Sequence, residues 1–311
     1  MNPDSAVVRP ARLKAGDHVR FVSPASTPTR DSVEGTARFL ESLGLRPTIG
    51  EHVFDEYGYL AGTDEHRLAD VNDALRDPDV KAVIATRGGK GAYRIADGLD
   101  FAAAARYPKL LIGFSEITIL HLALWKHCRL AGLHGAPFEV PWADAESAQS
   151  FLDNVFTTDG VTVRSRAGEP TGALTTTGQA SGTLLGGNQD LLAIASGWTL
   201  PSLDGAILLL EAYNLRHGHI DRQLTMLRKS GRLDGIRAVA VGQYTECDAS
   251  PGDQGSWTAI DVLRDQLSRL GVPILGGLPI GHGDNPIAVP VGTPAILDAD
   301  AGTLTVTSAV C

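Results

Sequence analysis

Cysteine is scarce in this chain. Cys128, Cys247 and Cys311 are the three in 311 residues, and their spacing is neither paired nor of a metal-binding type. So sparse and odd a count excludes a disulfide framework and fits a reducing compartment. A basic excess is also missing: 27 Lys and Arg face 36 Asp and Glu, for a net charge of −9, and no basic block interrupts the sequence. That argues against a nucleic-acid partner or an anionic membrane surface. No apolar run approaches the roughly 20 residues that a membrane span needs. The opening M-N-P-D-S-A-V-V-R-P has no apolar signal-peptide core. The expectation is a soluble, cytoplasmic protein.

What is present is ordinary for a globular chain, 43% hydrophobic and 20% charged, and long enough for one large domain or two smaller ones. The informative stretch is 109–128, K-L-L-I-G-F-S-E-I-T-I-L-H-L-A-L-W-K-H-C. Leu110 to Ile112 is too short and too unbroken for a surface helix and reads as a buried parallel strand. Gly113 breaks it, and Ile117, Leu120, Leu124 and Cys128 then recur at helical spacing. Ser115 therefore falls in a strand-to-helix turn, where an open α/β sheet carries its active site. It reads either as a nucleophile, with backbone donors to hold an oxyanion, or as a helix N-cap. G-F-S-E lacks the second glycine of the G-x-S-x-G elbow.

Elsewhere in the first half, H-V-R-F-V-S (18–23) and K-A-V-I-A-T (81–86) read as strands. Helices are expected over 31–44, with Asp31 or Ser32 as cap, and after Thr63. The second strand runs into R-G-G-K-G-A-Y-R (87–94), which matches neither a phosphate loop nor a dinucleotide fingerprint. If strand 81–86 neighbours strand 109–113, the N–H groups of that glycine cluster lie beside Ser115. The fold expectation is α/β, a doubly wound, Rossmann-like N-terminal domain over 1–145. A Gly/Ser/Thr-rich crossing follows over 146–180, then a β-rich C-terminal domain over 181–311, with an amphipathic helix at 220–228.

A nucleophilic serine needs a base, and the base needs an orienting group. Of nine histidines, His282 stands out, because Gly281 and Gly283 let the backbone turn so that its ring projects from a loop. His134, in L-H-G-A-P, is a candidate cleft residue, and H-G-H at 217–219 is too common a spacing for a metal site. Glu211 ends the apolar run A-I-L-L-L and reads as a triad carboxylate or as an exposed strand end.

The segments R-G-G-x-G-x-x-R (87–94), G-F-S-E-I-T (113–118), G-G-N (186–188), L-L-L-E (208–211), I-D-R-x-L-T (220–225) and G-H-G (281–283), in that order, resemble the LD-carboxypeptidase family of serine peptidases. The resemblance runs from about residue 12 to the C-terminus. It implies a metal-free, cofactor-free hydrolase with Ser115 as nucleophile, His282 as general base and acid, and Glu211 as orienting carboxylate. The oxyanion donors would be the backbone N–H groups of Gly89 and Glu116. The implied substrate is a small peptide, a muropeptide that loses a terminal D-alanine, and a similar branch hydrolyses peptidyl-nucleotide antibiotics such as microcin C. A homodimer is likewise implied. The chain departs from the family pattern at Lys90, where an aromatic is usual, and at Glu116, where Asp is usual. It also lacks the second acidic residue soon after the triad Glu. The cation for a substrate carboxylate is left open among Arg87, Lys90 and Arg216.

Overall fold

Residues 6–136, 144–247 and 257–311 are described by a computed structural model; the first five residues, on which the signal-peptide expectation partly rests, lie outside them. The first half alternates strands and helices. β1 (His18–Val22), α1 (Arg30–Ser42), β2 (Arg46–Ile49), α2 (Asp64–Arg76), β3 (Val80–Ala85), α3 (Phe101–Arg106), β4 (Leu110–Gly113), α4 (Thr118–Cys128) and β5 (Gly132–His134) follow in order. The strands pair in parallel as β2-β1-β3-β4-β5. Both faces of this sheet are covered, which is why β4 is buried at every residue and reads as an unbroken apolar run rather than an alternating one. Thr29 caps α1, two to three residues ahead of the expected Asp31 or Ser32, and Thr63 caps α2 through the His66 N–H.

The chain then forms α5 (Ala145–Phe156), β6 (Val161–Arg164), β7 (Gln179–Asn188), α6 (Gln189–Ala195), β8 (Ala206–Tyr213), α7 (His217–Lys229), β9 (Ala238–Thr245), α8 (Ala259–Leu267), β10 (Ile274–Leu275), β11 (Val289–Val291), β12 (Pro294–Asp298) and β13 (Thr303–Val306). Seven of these strands make a second sheet ordered β10-β9-β8-β7-β12-β13-β6, parallel from β10 to β7 and antiparallel beyond. β11 leaves it and pairs antiparallel with β5, so a late strand closes the edge of the first sheet.

A second link joins the halves: the Asn188 N–H at the end of β7 donates to Thr118 Oγ1 at the start of α4, at 3.0 Å. The carboxyl ends of β3 and β4 thus meet those of β7 and β8 across one cleft of about 1500 Å³. Among the described residues, no helix is long and apolar enough to cross a membrane.

Candidate active site

The register aligns Ile84 of β3 with Ile112 of β4, so the glycine cluster after β3 lies against the turn after β4. The approach is close. A Cβ on Gly88 would come within 2.9 Å of Ser115 Cβ and 3.1 Å of Ser115 Oγ. Ser115 itself has φ +61°, a left-handed conformation that a non-glycine residue holds only where its surroundings impose it. It opens a single 3₁₀ turn, Ser115–Ile117, before α4. Its hydroxyl caps neither that turn nor α4 and has no hydrogen-bond partner among the described residues, so the N-cap alternative fails. The sharp strand–turn–helix geometry of a nucleophile elbow is present without the second glycine, because Ser115 takes the strained conformation itself.

The glycine loop is held from three sides. Glu116 Oε1 accepts from the N–H groups of Gly91 and Ala92 at 2.7 and 2.9 Å. Ser26 Oγ accepts from the Lys90 N–H at 3.1 Å and donates to Tyr59 O. The buried Arg67 guanidinium donates to Pro24 O and Gly91 O and pairs with Asp64. Burial pushes the Glu116 carboxyl up to about 7, against the pull of the N–H donors. With these groups engaged, the backbone N–H groups of Gly89 and Glu116 keep no partner among the described residues. Gly89 has φ +110°, and a Cβ there would meet Ser26 Oγ at 2.4 Å, so this position requires glycine.

From the other side, Glu211 lies near the end of β8, opposite Asn188 of β7, and is fully buried. Its Oε2 accepts from His282 Nδ1 at 2.7 Å. Burial alone would raise the Glu211 carboxyl; the His282 ring beside it holds it below its ordinary value. His282 reaches this point on a loop laid across β8 and β9. Gly281 takes φ +141°, and Gln243 fixes the loop by accepting the Gly283 N–H at 2.8 Å. The imidazole is flanked by Tyr213, stacked at 5.1 Å between centroids, and by Phe114 at 5.0 Å. A carboxylate on Nδ1 fixes the tautomer that leaves Nε2 able to accept a proton.

The cleft therefore brings together Ser115, His282, Gly89, Glu116, Arg87 and Lys90, with Glu211 buried behind His282. Arg216 stands apart, exposed at the start of α7 and outside the cleft lining, although its neighbours Asn214 and Leu215 line it. Sequence reasoning missed Arg67, Phe114, Thr118, Tyr213 and the side chain of Asn188, which helps hold the Glu211 charge. G-G-N was a signal for the last; a buried arginine leaves none.

Among the described residues, His52, Asp55 and His66 group metal-type donors closely. Both histidines direct Nδ1 at Asp55 Oδ2, at 3.2 and 2.7 Å, with their rings stacked at 4.0 Å and 17°. Rings so nearly parallel leave no point for an ion in both ring planes. The group works as a clamp on the 50–62 loop, whose Tyr59 borders the cleft.

Comparison with known proteins finds two matching family domains. Residues 19–135 match the model of the LD-carboxypeptidase N-terminal domain, and residues 181–297 that of the LD-carboxypeptidase C-terminal domain. The chain is similar to a putative carboxypeptidase of Streptomyces coelicolor, 37% identical and covering 96% of each chain. It is also similar to a probable murein peptide carboxypeptidase of Bacillus subtilis, 34% identical over 93% of this chain and 91% of that one. In fold it resembles the microcin C7 self-immunity protein MccF of Escherichia coli, solved in complex with aspartyl sulfamoyl adenosine. There the TM-score is 0.83 at 21% identity, over 96% of this chain and 98% of that one.

Proposed function

We propose a specific reaction for this chain, which belongs to the LD-carboxypeptidase family of serine peptidases: removal of the terminal D-alanine from a muropeptide through a Ser115–Glu211–His282 triad. Ser115 Oγ attacks the amide carbonyl while His282 Nε2 takes its proton. Glu211 holds the ring and stabilises the imidazolium. The carbonyl oxygen, now negative, is met by the N–H groups of Gly89 and Glu116, a kind of stabilisation worth about 3 kcal/mol per donor. His282 returns the proton to the leaving amine, and water then hydrolyses the acyl-enzyme by the same steps in reverse. The Ser115–His282 hydrogen bond closes when substrate is bound. Arg87 and Lys90, both lining the cleft, are the cations for the terminal carboxylate, and Arg216 is left out. A homodimer in the cytoplasm is part of the same proposal.

The observation that carries the reading is the 2.7 Å contact between His282 Nδ1 and a fully buried Glu211, facing the same cleft as a strained Ser115 with an unengaged hydroxyl. A relative 34% identical, described as a probable murein peptide carboxypeptidase, supports the substrate.

A second reading, hydrolysis of a peptidyl-nucleotide amide, is favoured by the cleft. At about 1500 Å³, with Tyr59, Tyr93 and Tyr213 on its walls, it has room and stacking faces for a base. The test is a mass-spectrometric assay with a diaminopimelate tetrapeptide muropeptide and a peptidyl-sulfamoyl adenylate. Release of D-alanine from the first is the expected result. Cleavage of the adenylate alone would replace the proposal with the second reading, and silence on both would refute the two together.

A further inference from the structure

The reaction above uses one oxygen of Glu211. The other, Oε1, is buried and makes no full hydrogen bond, although the Asn188 side chain also helps hold the carboxylate charge, and both ring nitrogens of His134 are likewise unpartnered. His134 is 1% exposed and ends β5, opposite Gly113 of β4. The two groups share one buried region, in which the charge of Glu211 is felt at the His134 ring. A Cβ on Gly187 would lie 3.1 Å from His134 Cε1, and the residue after Gly187, Asn188, is the register partner of Glu211. Phe114, which flanks the His282 ring, also meets the His134 ring edge-on at 6.1 Å. A buried imidazole and a buried carboxylate oxygen left without partners would each carry a desolvation cost. A neutral imidazole has one N–H to give, and an ionised carboxylate can only accept.

We propose that His134 is a positioning residue of this site, donating a ring N–H to Glu211 Oε1 through a single buried water. The inference rests on the triad reading. It makes Glu211 a carboxylate clamped at both oxygens, His282 on one and the water held by His134 on the other, so that its plane is fixed and its charge is supported in a buried environment. Burial pushes the His134 ring down to about 4, which keeps it a neutral donor rather than a competing cation. The other titratable groups facing this pair are His282, His121 and the buried Tyr244. Gly187 serves the arrangement too: with φ +137° and no side chain, it leaves the space that the His134 ring fills.

The test uses His134→Phe, His134→Gln and His134→Asn, each checked for folding. Loss of the donor makes the Glu211–His282 pair more basic, so the acid limb of kcat/KM moves to higher pH. His134→Phe is expected to lower kcat about 10- to 100-fold at nearly constant KM, the rate equivalent of one hydrogen bond to a charged group. Either His134→Gln or His134→Asn, which keep an N–H donor, restores most of that loss. A folded His134→Phe with wild-type kcat and an unmoved acid limb overturns the proposal.

Imidazole ¹⁵N NMR of the wild-type protein tests it without any variant and without substrate. A single neutral tautomer whose ring proton is downfield and slow to exchange is expected. A His134 ring that titrates as free imidazole does, or whose proton exchanges rapidly, overturns it. If the wild type cleaves no substrate, the hydrolase reading fails while this spectrum still decides the hydrogen bond.

Discussion

Replacing Gly88 by alanine tests how tightly the glycine loop is set against Ser115. The added Cβ would lie 2.9 Å from Ser115 Cβ, 3.1 Å from Ser115 Oγ and 3.4 Å from the Glu116 nitrogen. Carbon atoms settle at about 3.5–4.0 Å, so the two loops must part by roughly 0.6–1 Å. Ser115 is already in a left-handed conformation and has little freedom to retreat within its turn. A displacement of about 1 Å at a reacting group costs about 10²-fold in rate, or roughly 2.7 kcal/mol of transition-state stabilisation. The overpacking itself should cost about 1–3 kcal/mol of stability, which a domain stable by 5–15 kcal/mol survives. Gly197→Ala, where a Cβ meets nothing within 4 Å, is the control and should change neither quantity. Steady-state kinetics and urea unfolding of both variants make the assay. Wild-type kcat/KM in a folded Gly88→Ala protein would show that the close approach does not position the nucleophile.

Three further outcomes follow from the same geometry. Glu211→Gln keeps the shape and removes the charge under His282, so kcat should fall by about 10⁴-fold with the fold intact; a loss below tenfold in single-turnover kinetics would remove Glu211 from the triad. Glu116 has a folded-state value of about 7, above the unfolded one of 4.5, so its contribution to stability is full below that lower value and is lost as pH rises through about 7. Glu116→Gln should flatten that slope in denaturation measured from pH 4 to 8, and an unchanged slope would assign the dependence to another group. Arg67→Met leaves Gly91 O and Pro24 O without their buried donor, while Asp64 keeps Arg94, and should cost about 1–3 kcal/mol for each unsatisfied carbonyl in urea unfolding; a total cost below about 1 kcal/mol would mean that the arginine does not brace the loop.

Much of the framework could be read from local pattern. Short unbroken apolar runs marked β3, β4 and β8, because strands buried on both faces need no alternation. The turn at Ser115 and the glycine-flanked His282 were legible because each needs unusual backbone freedom. Elements whose identity depends on distant partners were not legible. β5 and β11 are three residues each and exist because they pair with one another across more than 150 residues of chain. Arg67 sits in a polar-looking helix, D-E-H-R-L-A-D, and nothing local says that its guanidinium is buried under the glycine loop. The exclusion of Arg216 from the cleft was equally hidden, since it depends on the direction in which α7 leaves β8.

Every step of the proposed reaction depends on Ser115 as the nucleophile. The most direct test is the turnover of Ser115→Ala on whichever amide the wild type cleaves, measured by mass spectrometry at equal folded concentration. Turnover should be at least about 10³-fold lower, with substrate still bound, because the rest of the site is retained. Turnover of Ser115→Ala within tenfold of the wild type would contradict that role.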